Sequence, residues 1–226
     1  MYTYSPAGRC QEGKKWLNSI AAYFVQGSYK IQGNRLSSGQ KREMFLPKIS
    51  QCFATNGFRG TTTAKIAKAC DVRENVLYRI WPSKKEMFLD CIEHIYELTM
   101  TLWQELPEPT EGRTRAEMIL VYQAEDHGLL RYYRLVFAGL LEDDPDIRKA
   151  LRDLYRRFHV FLKQTTDDHR TRKGISDSLE LDNSAWALMG LAAMVDIQRE
   201  LRLLPAADRE KFMIESGTEI LESEKH

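Results

Sequence analysis

An all-α fold is predicted by three observations on this 226-residue chain. Apolar residues recur at spacings of three and four from Met44 to Leu221, no segment shows the period-two alternation of a half-buried strand, and Gly, Pro and Asp stops separate the periodic segments. With 43% hydrophobic residues, the chain can bury a substantial core in one large domain or two smaller ones.

Residues 1–38 carry Gly8, Gly13, Gly27, Gly33 and the run Leu36-Ser37-Ser38-Gly39, the composition of a partly flexible extension. Within it, Leu17, Ile20, Ala21, Phe24 and Val25 predict a short amphipathic helix near 13–26. The first firm helix carries Phe45, Leu46, Ile49, Cys52 and Phe53 and stops at Asn56-Gly57. Pro47 lies inside that pattern and an interior proline costs about 3 kcal/mol, so the helix is expected to start near Phe45 or to kink there. Hydroxyls at Thr61, Thr62 and Thr63 can cap a second helix over 64–70, Asp71-Val72 interrupts it, and a third helix runs over 74–81 until Pro82-Ser83. Three short helices, the last two joined by a tight turn, form a helix-turn-helix over about 62–81, the unit that lays its last helix in a DNA major groove.

A long helix follows over 83–106, closed by Pro107-Glu108-Pro109. Further helices are expected over 113–126, 129–141, 145–166, 184–204 and 206–221. Their separators are Gly128, the run Glu142-Asp143-Asp144-Pro145, a polar stretch at 167–182, and Pro205. The domain organisation is therefore an extension (1–38), a three-helix DNA-binding unit (39–98) and a helical body (99–226).

Net charge is only +1, but it is segregated. Residues 1–90 hold 15 Lys and Arg against 6 Asp and Glu, a net +9, whereas the remainder holds 18 against 26, a net −8. A basic front on an acidic body suits contact between the front and a polyanion, since phosphate neutralisation supplies most non-specific nucleic-acid affinity.

The residues Phe45-Leu46, Cys52-Phe53, Gly57-Phe58, Thr61-Thr62, Ile66-Ala67, Val72, Leu77-Tyr78-Arg79, Trp81, Ser83-Lys84 and Met87 resemble the DNA-binding domain of the tetracycline-repressor (TetR) family over about residues 40–98. The resemblance implies DNA contacts at Thr62, Thr63, Arg73, Asn75, Tyr78 and Lys84. Side-chain chemistry agrees. Threonines at a helix start and an outward phenol suit phosphates, and Lys84 would be a point-charge anchor. Arg73 and Asn75 have the donor geometry for guanine and adenine edges. At the reading surface the chain departs from the family pattern: Asp71 stands for the turn glycine, Arg73 for a small hydroxyl residue, Asn75 for Gly and Ile80 for His, so the operator sequence does not carry over from relatives.

In that family a cavity among the middle helices admits a small molecule and the last two helices pair two subunits. The implied function is a regulator released from a pseudo-palindromic operator by an effector, acting as a homodimer on double-stranded DNA, with an activator of the same fold as the alternative. Pocket candidates here are Tyr96, Met100, Trp103, Tyr122, Glu125, Tyr133, Phe137, Phe158, His159 and Phe161. Between 186 and 194 the chain is apolar nearly all round, which makes Trp186, Met189, Gly190, Ala193 and Met194, with Phe212, the interface candidates.

Two acid-histidine runs raise an enzymatic reading. Adjacent positions of Glu125-Asp126-His127 do not converge on a helix, and Asp167-Asp168-His169 falls in the polar connection, so no enzyme, metal or cofactor chemistry is expected. Cys10, Cys52, Cys70 and Cys91 show no paired spacing, and the chain lacks both an apolar run of about 20 residues and a secretory leader pattern; a cytoplasmic protein without membrane attachment is expected.

Overall fold

The computed structural model describes residues 37–107, 109, 112–125, 130–176 and 180–223; all the regular structure among these is helical. The head comprises α1 (Ser38–Gly60), α2 (Thr63–Cys70) and α3 (Glu74–Tyr78), and α4 (Lys84–Gln104) leads from it into the body. There, α5 (Arg115–Ala124), α6 (Leu130–Leu140), α7 (Pro145–Lys173), α8 (Leu181–Leu201) and α9 (Ala206–Glu222) pack together. The short amphipathic helix expected near 13–26 lies outside the described residues.

Helix α1 starts seven residues before Phe45, at Ser38, and this corrects the expected start. A capping box sets the earlier boundary: Gln40 N donates to Ser37 Oγ at 3.2 Å while Ser37 N donates to Gln40 Oε1 at 2.9 Å. Pro47 is carried inside the helix because Phe45, Leu46, Ile49, Ser50 and Phe53 are all buried along one face, and that packing offsets the missing amide bond. The expected stop at Asn56-Gly57 takes the form of a kink, with helical turns resuming to Gly60: Gly57, at φ 69° and ψ 176°, is the non-helical residue inside α1.

Helix α3 ends at Tyr78, earlier than the expected 81. Ile80 and Trp81 still donate their amides to Leu77 O, at 2.9 Å each, so the chain coils tightly into buried Trp81 without continuing the α-helix.

The polar stretch from 167 is not a connection. Helix α7 continues to Lys173 and stops at Gly174, which takes φ 70°. Interior partners explain why so polar a segment stays helical. Arg170 Nε donates to Leu221 O (2.9 Å) and its Nη2 to Ser184 Oγ (2.8 Å), while His169 Nδ1 lies 2.7 Å from Thr114 Oγ1, the N-cap of α5. Asp167 and Asp168 point to solvent while His169 is fully buried, so the triplet does not converge. Helix α8 ends at Leu201, before the expected 204, because Arg202 adopts the left-handed conformation (φ 54°) and Leu203 N closes the end on Gln198 O at 3.0 Å.

One apolar core runs from the head into the body, from Phe53 and Phe88, whose rings meet edge-on at 4.8 Å, to Trp103 and Phe158. A second cluster joins α5, α8 and α9. Helix α6 packs along α1 and lies so near α4 and α7 that a Cβ on Gly139 would sit 3.1 Å from Leu151 Cδ1 and 3.3 Å from Phe88.

Candidate nucleic-acid interface and body cavity

The turn between α2 and α3 is built by a left-handed aspartate. Asp71 adopts φ 56° and ψ 47°, and Val72 N donates to Ala67 O at 3.0 Å, closing the C-terminal cap of α2. Asp takes this region less readily than Gly but more readily than most residues. The chain leaves the turn extended at Arg73, and the five residues of α3 place buried Leu77 inward. That inward anchor turns Arg73, Asn75 and Tyr78 outward together, Tyr78 being 47% exposed. Arg79 shares this exposure.

The remaining expected contacts are more constrained. Thr62 caps α2 by accepting from Lys65 N at 3.2 Å, so its hydroxyl proton stays available. Thr63 donates its hydroxyl to Glu74 Oε2 at 2.5 Å, a bond that holds the first turns of α2 and α3 together. Lys84 is half-buried over the Phe58 ring, 4.4 Å from the centroid, and donates to Phe58 O (2.9 Å) and Thr61 O (3.0 Å). An ammonium has three protons, so at most one remains for a phosphate. It thereby closes the end of α1, a role that the expectation of a point-charge anchor did not include.

Asp90 on α4 gathers the head: Trp81 Nε1 donates to it at 2.6 Å, and Arg42 makes a two-pronged ion pair with it from α1. The bond to Asp90 raises the Arg42 pKa above its ordinary value. Arg59 of α1 meets Glu142, and Lys85 of α4 meets Asp146 at 2.5 Å and Asp144 at 3.5 Å, tying α1 and the start of α4 to the loop before α7 and to its first turn.

The body encloses an apolar cavity with about 90 Å³ open to the centre of a water-sized sphere, several times the roughly 10–15 Å³ that one water needs. Of the expected pocket residues, Trp103, Tyr133, Phe137 and Phe158 line it. Tyr96, Met100, Tyr122, Glu125, His159 and Phe161 do not. Tyr96 lies under the Arg157 guanidinium at 3.5 Å, His159 lies tilted against Trp186 at 4.5 Å, and Phe161 stacks on Trp103 at 5.3 Å. Sequence reasoning missed the polar lining, Gln123, Thr165, Thr166 and Asp196. An acid amid the apolar run of α8 was the available signal for Asp196. Its carboxylate is paired with Arg199 at 2.5 Å, and Arg199 also donates to Gln123 O (2.9 Å) and Glu125 O (2.8 Å), closing the end of α5. Burial pushes the Asp196 carboxyl up to about 6 against the pull of Arg199.

On α8, Trp186, Gly190, Met194 and Leu201 are exposed at helical spacing, with Trp186 50% and Leu201 63% open. Met189 and Ala193, expected beside them, line the cavity instead, and Phe212 packs against the second core cluster.

The family model for bacterial regulatory proteins of the tetR family matches residues 48–91. The nucleoid occlusion factor SlmA of Vibrio atlanticus (strain LGP32) is 31% identical over 166 residues, covering 71% of this chain and 83% of the relative. The chain belongs to the TetR family. SlmA of Vibrio campbellii is 33% identical over 156 residues, covering 66% and 79%. Among solved structures, a TetR-family regulator from a Rhodococcus species superposes with a TM-score of 0.69 at 14% identity, covering 80% of this chain and 99% of that one. GusR of Salmonella enterica gives 0.65 at 22% identity, covering 83% and 99%. The protein is thus a TetR-family DNA-binding transcriptional regulator, and no helix of its described residues is long and apolar enough to cross a membrane.

Proposed function

We propose that this TetR-family protein is a homodimeric repressor that a small molecule releases from a pseudo-palindromic operator. The observation that carries the reading is the cavity's position: Ile95 and Trp103 of α4 and Tyr133, Val136 and Phe137 of α6 line it, and both helices pack against α1 in the head. A molecule that fits the cavity in one setting of α4 and α6 better than another shifts the population of head orientations. Arg73 and Asn75 read base edges, Thr62 and Tyr78 meet phosphates, and Thr63 and Lys84 hold the unit in shape, Lys84 with one proton for the backbone. One five-residue helix reads few base pairs, so two heads on half-sites about a helical turn or more apart supply specificity. The exposed stripe of Trp186, Gly190, Met194 and Leu201 on α8 supports pairing of two copies. Cytoplasmic placement follows from the DNA partner.

Genomic fragments retained by the purified protein define the operator, and a reporter behind it should rise when the protein is removed. A fall makes the protein an activator. A second reading, nucleoid occlusion, is favoured by the names of the SlmA relatives. Unchanged transcripts together with a division defect in the deletion strain support that reading and refute repression.

A further inference from the structure

Two residues that line the cavity each carry a buried polar atom without a hydrogen-bond partner: Trp103 Nε1 and Thr166 Oγ1. Trp103 is 6% exposed and Thr166 0%. Leaving such a group unpaired is unfavourable, and an indole N–H can only donate. The group that completes Trp103 is therefore an acceptor.

Charge narrows the chemistry further. The lining contains no Lys, Arg or His, and its one ionisable acid is Asp196. An anionic ligand would meet a carboxylate and no counter-charge. A cationic ligand would compete with Arg199, which already holds Asp196 at 2.5 Å and is itself fixed on the carbonyls of α5. Apart from Gln123, the threonines and the phenol hydroxyls of Tyr133 and Tyr155, everything else lining the space is apolar.

Length follows from α5. Its start is pinned beside the end of α7 by the Thr114–His169 contact, and Gln123 at its other end donates to Asp196 at 3.4 Å. Ala116, Ile119, Leu120 and Gln123, along one face of this helix, border the cavity, a span of about 10 Å at 1.5 Å per residue. Building on the effector reading above, we infer that the cavity takes an uncharged, chain-like apolar molecule of about 10 Å carrying one carbonyl or hydroxyl oxygen, received by Trp103 Nε1 and Thr166 Oγ1.

Isothermal titration of the full-length protein with four ten-carbon probes tests this: 2-decanone, decane, decanoate and decylammonium. The ketone should bind about fivefold more tightly than the alkane, the factor one neutral hydrogen bond carries, and the two ions should not bind. Trp103→Phe keeps the ring and removes the donor; it should bring the ketone down to the alkane's affinity while leaving the alkane bound. Thr166→Val, a near-isosteric change, should lower the ketone preference without abolishing it. Binding of decanoate or decylammonium above the ketone, an unchanged ketone-to-alkane ratio in W103F, or no binding of any probe overturns the inference. Operator release is measured separately by fluorescence anisotropy. If the ketone binds as described but leaves operator affinity unchanged, the assignment of ligand chemistry stands and the effector reading fails.

Discussion

Replacing Arg199 by Met should be among the most damaging single substitutions in the body, and the pair it forms with Asp196 makes the size of the effect calculable. The Arg199 side chain is 7% exposed and that of Asp196 1%. Removing one partner of a buried ion pair costs about 3–5 kcal/mol, because the other charge stays buried without compensation. The carbonyls of Gln123 and Glu125 lose their donor as well. Removing the other partner is a milder change. In Asp196→Asn, Arg199 keeps the α5 carbonyls, so the expected cost is about 1.5–3 kcal/mol, the net value of one charged hydrogen bond.

The pH dependence has a definite sign. The folded Asp196 carboxyl titrates near 6, above its unfolded value of 3.8, so its stabilising contribution is complete below about pH 4 and is lost as pH rises through 6. Without Arg199 the carboxyl rises further, and the R199M penalty should shrink steadily as pH falls from 7 to 5. Urea unfolding of both single variants and the double variant at pH 7 and 5 measures this. A penalty below about 1 kcal/mol for R199M, one that does not shrink at pH 5, or additivity of the two changes would refute the reasoning.

Three further outcomes follow. Asp71→Gly should raise stability by about 0.5–1 kcal/mol because the left-handed turn then carries no Cβ cost, measured as a shift of the urea midpoint; a loss of stability contradicts the proposed turn strain. Arg73→Ala should relax operator specificity at one position per half-site by about 1–3 kcal/mol, read by competition with single-base operator variants, whereas a uniform loss across all variants would assign Arg73 to the backbone. If the protein is the proposed homodimer, Trp186→Glu with Met194→Glu should give a folded monomer in sedimentation equilibrium where the unaltered protein is dimeric; a dimer persisting in the variant at micromolar concentration would place the subunit contact elsewhere.

The order and type of the helices were readable because apolar spacing, threonine caps and Gly or Pro stops are local signals. The failures share one physical cause, long-range partners. Residues 167–173 look like a connection by polarity, but Arg170 finds Ser184 and the end of α9, and His169 finds Thr114, each far away in sequence. Pro47 sits in a helix because distant packing holds it there. At the reading surface, burial of Leu77 alone was enough to predict which neighbours point outward, whereas the commitments of Lys84 and Thr63 required seeing Phe58, Thr61 and Glu74 in place. Aromatic residues of the cavity were half legible, since packing and lining look alike along a helix. Its polar members were missed because Gln123 and Asp196 meet only in the folded body.

Asp90 sets how motion can reach DNA. By holding Arg42 of α1 and the Trp81 indole at once, it ties the first two turns of α4 to α1 and to the segment that follows α3. Under the proposed mechanism the head would therefore turn as one block, and the outward face of Arg73, Asn75 and Tyr78 would keep its shape while its aim changed. Helix α4 acts as the shaft: its 21 residues span about 31 Å at 1.5 Å per residue, so a tilt of about 6° at the cavity end carries the head about 3.4 Å, one base-pair step. Under the proposed release mechanism, small adjustments around the cavity would be read out as whole steps along the duplex.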